Sequence, residues 1–359
     1  MRKKSRQFLE TYLNNSSPTG FESSGQKLWL DYIRPWIDDY ITDAYGSVVG
    51  VVNPKARYKV VIEAHADEIS WFVTYVSDSG YISVTRNGGS DPQIAPSKRV
   101  NIYTEKGIVK GVFGWPAIHV RDHGKKEAPD LKSLFIDVGA ASKAEVEELG
   151  ILPGCVVTFD DEMMSLYDDR YLVGRALDNR IGGYMIAETL RRVAESKKKL
   201  PFGLYVVNAV QEEVGLRGAA MIARRIKPDV AVITDVTHDT QSPPYGSVKN
   251  QEGDIACGKG PVLTWGPAVQ NNLLNMIVDV AKAKEIPYQR AAVSRSTGTD
   301  TDAFAYSDIG VPSALIALPL KYMHTTVEMV HNDDVENVIT LMYEFLVGLK
   351  SGHDFRYIT

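Results

Sequence analysis

The chain has 359 residues, a mild formal charge of -5, 44% hydrophobic residues and 24% charged residues. This balance suits a soluble globular protein of two or three domains, and it lacks the basic excess of a dedicated nucleic-acid binder. Cys155 and Cys257 stand far apart with no CxxC partner, no run is long enough to span a bilayer, and the polar stretch after Met1-Arg2-Lys3-Lys4 cannot form a leader core; the expectation is a cytoplasmic protein without disulfides or membrane contact.

The first helix is predicted over Ser5–Leu13, with Phe8, Leu9, Tyr12 and Leu13 at helical spacing. Asn14 to Gly20 breaks it. A second helix is expected over Glu22–Ile37, with Leu28, Leu30, Tyr32 and Ile33 as candidate core and an irregularity at Pro35. Tyr40–Val52 reads as a hairpin around Asp43 and Gly46, and Tyr58–Ala64 as a buried strand ending in Ala64-His65-Ala66-Asp67-Glu68.

From Ile69 the pattern becomes alternating, with turns at Ser77–Gly80 and Asn87-Gly88-Gly89, a hairpin over Val100–Phe113, strands at Leu134–Val138 and Val156–Phe159, and a short helix at Lys143–Leu149. Residues 69–162 therefore read as a β-rich module inserted between residues 1–68 and 163–359 of an α/β domain, because strand–helix alternation resumes only after it. A long helix starts at Asp178 with Ile181, Met185, Ile186 and Leu190 on one face, and Lys197-Lys198-Lys199 is a solvated helix end. The apolar run Phe202–Val210 is a buried strand ending in Glu212-Glu213, followed by a helix over Ala219–Ile226. Further strands are expected at Val230–Thr234, Val262–Trp265, Pro287–Val293 and Ser313–Leu318. A helix is expected at Asn271–Lys284, Ser294–Asp302 is polar, and a closing helix over Asp333–Leu349 has Asp333 or Asp334 as candidate N-cap.

In open α/β sheets, sites gather at the carboxyl ends of strands. The strand ends of this chain deliver His65, Asp67, Asp178, Glu212, Glu213, Asp235 and His324. Two imidazoles and several carboxylates, without cysteine, suit zinc or a similar divalent ion, and the set can hold two ions if one carboxylate bridges. A carboxylate at i+2 of a histidine can reach the outer nitrogen of the ring, which gives Asp67 a role in orienting His65. Singly, Asp178 also fits an N-cap and Asp235 an Asx turn. His119, His123, His238, His331 and His353 have no comparable setting.

Seven motifs carry a resemblance that runs over nearly the whole chain. They are Ser17-Pro18-Thr19-Gly20-Phe21-Glu22, Ala64-His65-Ala66-Asp67-Glu68, Ala176-Leu177-Asp178-Asn179-Arg180, Gln211 to Gly218, Ile233-Thr234-Asp235-Val236, Gly298-Thr299-Asp300, and Pro319-Leu320-Lys321-Tyr322-Met323-His324. In these the sequence resembles the tetrahedral (TET-type) metallo-aminopeptidases, the glutamyl-aminopeptidase-like family of co-catalytic zinc exopeptidases. The resemblance implies a mixed β-sheet sandwiched by helices with an inserted small β-barrel-like domain used for oligomerisation. It implies two divalent ions, zinc first and cobalt or manganese as alternatives. His65, Asp178 and Asp235 would hold one, and Asp178, Glu213 and His324 the other, with Glu212 as general base. An Asp at position 235 goes with aminopeptidases. Asp300 and Lys321 would shape substrate binding, short peptides would be the substrates, and the assembly would be a dodecamer. Asn179 and Lys321 depart from the family's usual Asp and Arg, and Lys does not reproduce the planar fork of Arg. Other readings are a catalytically silent metal- or peptide-binding scaffold, a hydrolase of another amide, and a glycosidase; the last needs flanking carboxylates and no metal pair.

Overall fold

A computed structural model describes residues 2–121, 128–247, 249–308 and 310–358; His123 lies outside the described residues. Four parallel strands form the middle of the larger sheet, in the order Gly203–Ala209, Lys59–His65, Val230–His238 and Ser313–Lys321. Their side chains are buried on both faces, which is why they read as apolar runs rather than as alternating patterns. Antiparallel strands extend the sheet on both sides: Val48–Val52 and Asp39–Thr42 beyond the first, and Glu328–His331, Tyr171–Gly174 and Met164–Leu166 beyond the last. Val262–Trp265 and Gln289–Ala292 branch from Ser313–Lys321.

Helices cover both faces, so the expected sandwich is present. On one face Val60, Ile62 and Ala64 pack against the helices Lys3–Asn14, Ser23–Ile33, Leu177–Glu195, Asn271–Ala283 and Asn332–Gly348. On the other, Val61, Val207 and Ile233 pack against Arg217–Ile226 and Asp300–Ala305. A separate core built on Trp71, Val100, Ile102, Phe113 and Val157 fills a closed six-stranded barrel. Its strands are, in order around the barrel, Ser70–Val76, Ile82–Asn87, Ile136–Asp137, Gly107–Phe113, Arg99–Thr104 and Val156–Phe159, and the last pairs back to the first through Trp71 and Val157.

Several elements differ from the sequence expectation. The second helix ends at Ile33 and tightens into a 3₁₀ turn over Arg34–Trp36, where Pro35 sits. Trp29 joins the expected Ile33 as fully buried, while Leu28 and Leu30 are only half-buried, and the Trp29 indole donates to the Gly183 carbonyl at 2.8 Å. The strand from Ser313 continues through Pro319 to Lys321, because the neighbouring strand pairs with it as far as His238. The polar segment ending at Asp302 contains the start of a helix, with the Thr299 hydroxyl accepting from the Thr301 amide at 3.3 Å. The last helix is capped by neither Asp333 nor Asp334. The ring of His331 accepts the Asp333 amide at 3.1 Å, and the buried Asp334 carboxylate instead accepts the amides of Gly258 and Gly260. Asp178 does not act as an N-cap either; its backbone is extended, but its side chain turns to the two histidines instead of to a helix amide.

Ile62 is fully buried in a central strand. Ile62→Ala should therefore cost about 2–5 kcal/mol of stability, read as a lower denaturant midpoint with an unchanged slope.

Candidate metal centre

The register of the central strands sets the site. His65 is level with Ala209 at the ends of adjacent parallel strands, so the Glu212-Glu213 turn lies beside it. Asp235 comes from the next strand, and His324 from the loop after Lys321. The turn after Ala209 puts Gln211 and Leu216 in the left-handed region, at φ of 57° and 60°. Gly218 then closes the turn onto the strand, since a methyl there would lie 2.4 Å from the Val210 carbonyl oxygen; only glycine permits that approach.

Asp178 stands between the two imidazoles. Its Oδ1 is 3.3 Å from Nε2 of His65, and its Oδ2 is 3.3 Å from Nε2 of His324. Nε2 of His65 also faces Glu212 at 3.8 Å and Asp235 at 3.9 Å, and Nε2 of His324 faces Glu213 at 3.5 Å. Three groups of ligand atoms each lie within 4.8 Å of one another: His65 with Asp178 and Asp235, Asp178 with Glu213 and His324, and His65 with Glu212 and Glu213. The first two share Asp178.

The carboxylates that hold this cluster do so through backbone amides. Asp67 is fully buried, 3.3 Å from Nδ1 of His65, and accepts the amides of Glu212 at 3.0 Å and Glu213 at 3.2 Å and the Thr19 hydroxyl at 2.9 Å. Glu328 accepts the amides of Asp178 at 3.0 Å and His324 at 2.7 Å, so one buried side chain fixes two candidate ligands. Glu22 accepts the Gln211 amide at 3.2 Å. The sequence reading missed Glu328; its signal was a lone Glu between Val327 and Val330, in a stretch that pairs as a strand. Asn179 donates to the Thr234 carbonyl at 2.8 Å.

The structure does not bring Asp300 and Lys321 into these ligand groups. Asp300 is 1% exposed, both oxygens lack a hydrogen-bond partner among the described residues, and it faces the equally buried Glu63. Lys321 is half-buried, with its ammonium 5.6 Å from the centre of the Tyr171 ring. His119, His238, His331 and His353 also lie outside the groups.

The donors fit a divalent ion. Burial, then the neighbouring carboxylates, pushes Glu213 and Asp235 well above the usual carboxylate range, and Glu212 to about 8. Burial alone would lower His65, but Glu212, Asp178, Asp67 and Asp235 outweigh it and hold the ring well above its ordinary value. Asp178 goes the other way, against its own burial, because both imidazoles donate to it. Without a cation the site must keep protons on groups that ligate only when deprotonated; a bound ion takes their place.

A parallel-centred α/β sheet that gathers imidazoles and carboxylates at its strand ends is the framework of a metal-dependent hydrolase. Residues 46–341 match the M42 glutamyl aminopeptidase model, and the chain belongs to that family. Over 349 residues it is 32% identical to the lysyl aminopeptidase of Pyrococcus furiosus, spanning 96% of this chain and 97% of that protein. A TET aminopeptidase from a marine sediment archaeon of the Thaumarchaeota superposes with a TM-score of 0.91 at 30% identity, over 97% of this chain and 98% of that one. The Pyrococcus horikoshii TET1 peptidase, which can assemble into a tetrahedron or a large octahedral shell, superposes with a TM-score of 0.84 at 26% identity, over 96% and 100%.

Metal-free protein should show an inverse pH dependence of stability. Glu63 and Glu212 are raised from 4.5 to about 8 and Glu22 to about 7, chiefly by burial. The folded chain thus holds protons that the unfolded chain releases, so this contribution is complete below the ordinary value and is lost as pH rises toward the folded values. Chelated protein should melt at a lower temperature at pH 8 than at pH 5.5, and a divalent ion should reverse the loss at pH 8.

Proposed function

We propose that this metal-dependent aminopeptidase removes N-terminal residues from short peptides with two divalent ions, zinc first and cobalt or manganese as substitutes. His65, Asp178 and Asp235 would hold one ion, and Asp178, Glu213 and His324 the other. The observation that carries this reading is the placement of Asp178, with one oxygen toward each imidazole. Two ions so held would lower the pKa of a bound water and polarise the scissile carbonyl.

In this reading Glu212 is the general base: it takes the proton of the attacking water and passes it to the leaving amine. Burial, which favours its protonated form, suits it to hold that proton between the two transfers. Asp67 keeps the Glu212-Glu213 turn in place by its two amide bonds and faces the outer nitrogen of His65, fixing the tautomer. Carboxylates around the site meet the free α-amino group of the substrate, which limits cleavage to the amino end. Asp300 and Lys321 are assigned to shaping substrate binding. A silent scaffold is not favoured, since Glu212 is in place beside the ligands.

We assign residues 1–68 and 163–359 to the catalytic domain and 69–162 to assembly. Support comes from exposed apolar side chains on the inserted segment, among them Ile108, Val112, Ile118 and Val120, and from the shells built by related structures. The assembly is a homo-oligomer of the dodecameric, tetrahedral kind. The half-buried free thiols of Cys155 and Cys257 fit a cytoplasmic setting; among the described residues no helix is long and apolar enough to cross a membrane.

Metal-stripped enzyme refilled with zinc or cobalt should release N-terminal residues from free short peptides and leave acetylated ones intact; equal cleavage of both sets would remove the amino-group recognition. Glu212→Gln should lower kcat by about 10²–10⁴-fold with metal content unchanged. Loss of metal instead would make Glu212 a ligand.

A further inference from the structure

We propose that the Gly88-Gly89 turn of the barrel positions His324 and Glu213, and thereby governs one of the two metal positions and not the other. The metal part of this inference rests on the two-ion reading above.

The turn leaves the strand Ile82–Asn87 and is tied down at both ends. Asn87 Nδ2 donates to the Thr19 carbonyl at 2.9 Å and to the Ser70 hydroxyl at 2.8 Å, and the Ser90 hydroxyl donates to the Ser70 carbonyl at 2.6 Å. All of these groups are buried. A methyl at Gly89 would lie 2.6 Å from Nδ1 and 2.7 Å from Cε1 of His324, and one at Gly88 would lie 3.2 Å from Cβ of Glu213. Gly88 has a left-handed φ of 76°, which favours glycine by itself, but Gly89 does not. At Gly89 the absent side chain serves the approach of the backbone to the imidazole.

The barrel reaches the same loop a second time. Lys98 Nζ bonds the Thr326 hydroxyl at 2.5 Å, two residues past His324, and also faces Asp161 at 3.3 Å. On the other side Glu328 holds the His324 amide. The ring is thus held between the main sheet and the barrel, with Nε2 directed at Asp178 and Glu213. His65 and Asp235 sit on strands of the main sheet itself. Crowding the turn should therefore weaken the Asp178–Glu213–His324 position and spare the position at His65 and Asp235.

The test compares full-length wild type, Gly89→Ala and Gly107→Ala. Gly107 is a barrel-hairpin glycine at φ 123° with nothing within 4 Å of an added methyl, so it controls for strain in the barrel. Metal-stripped protein is titrated with cobalt and followed by metal analysis and visible absorption. In parallel, the histidine ring signals of the metal-free protein are read by NMR with labelled histidine. Wild type and Gly107→Ala should take up two ions per chain. Gly89→Ala should keep one, with the second weakened by about 10–100-fold, and its His324 signal should move while that of His65 does not. Two ions bound with wild-type affinity and an unmoved His324 signal would overturn the proposal. Should Gly89→Ala fail to fold, Lys98→Ala decides it: a weakened second ion supports the hold of the barrel on this loop, and unchanged binding of both ions rejects it. A wild type that binds fewer than two ions would sink the two-ion reading, while the ring signals would still decide whether the turn positions His324.

Discussion

A single buried carboxylate faced by two imidazoles sets the terms for the whole structure. Asp178 is 8% exposed and directs a different oxygen at each of His65 and His324. Burying one carboxylate is costly, and burying several side by side is possible only if cations or protons are supplied. The large apolar cores on the two faces of the sheet offset that cost. The parallel strands do the placing, because adjacent strand ends bring residues far apart in sequence to one edge. Backbone amides do the holding, through Asp67 and Glu328. Asp67 and Glu328 are therefore satisfied by backbone amides rather than by arginine or lysine, and the positive charge among the candidate ligands is left to the imidazoles and a divalent metal.

The same economy explains the role of the stretch Ser17–Glu22 near the start of the chain. Pro18 forms a bridge with Glu68, the Ser17 amide donates to the Glu68 carboxylate at 2.6 Å, and the Thr19 hydroxyl reaches Asp67. Glu68 in turn pairs with the buried guanidinium of Arg175. The segment from Ser17 to Glu22 thus lies under the His65–Glu68 strand end and buttresses it, which is a structural use of a stretch that carries no candidate ligand.

Much of this was legible because the central strands announce themselves. Lys59–His65, Gly203–Ala209 and Val230–His238 are apolar runs that end in acidic or imidazole side chains, and their burial on both faces keeps the signal strong. The candidate ligands His65, Glu213, Asp235 and His324 were legible for the same reason, since each follows an apolar run, whereas Asp178 opens a helix. What stayed hidden depends on tertiary partners. The strands Met164–Leu166, Tyr171–Gly174 and Glu328–His331 are three or four residues long and exist by pairing with one another and with Ser313–Lys321. Glu328 supports two candidate ligands, Asp178 and His324, through amides that only the fold brings to it. Asp178 looked like a helix cap because its neighbours are helical, yet its backbone is bent to serve the two histidines.

The position of the insertion adds a constraint that composition cannot show. The barrel begins at Ser70, five residues after His65, and its last strand ends at Phe159, before the chain returns through Arg175 to Asp178. Both crossings therefore lie next to the metal centre. Attached here, the barrel has its first turns forced against the ligand loops, as Gly88 and Gly89 are against Glu213 and His324. Any surface that presses on the barrel then acts on a body that shares a wall with the site. Small hydrogen bonds tie that wall across the two bodies, from Asn87 to the Thr19 carbonyl and from Lys98 to the Thr326 hydroxyl, while Asn87 and Ser90 brace the turn within the barrel through Ser70. Such bonds fix position at little cost in area, which is what a site needs when its ligands must stay within a few tenths of an ångström.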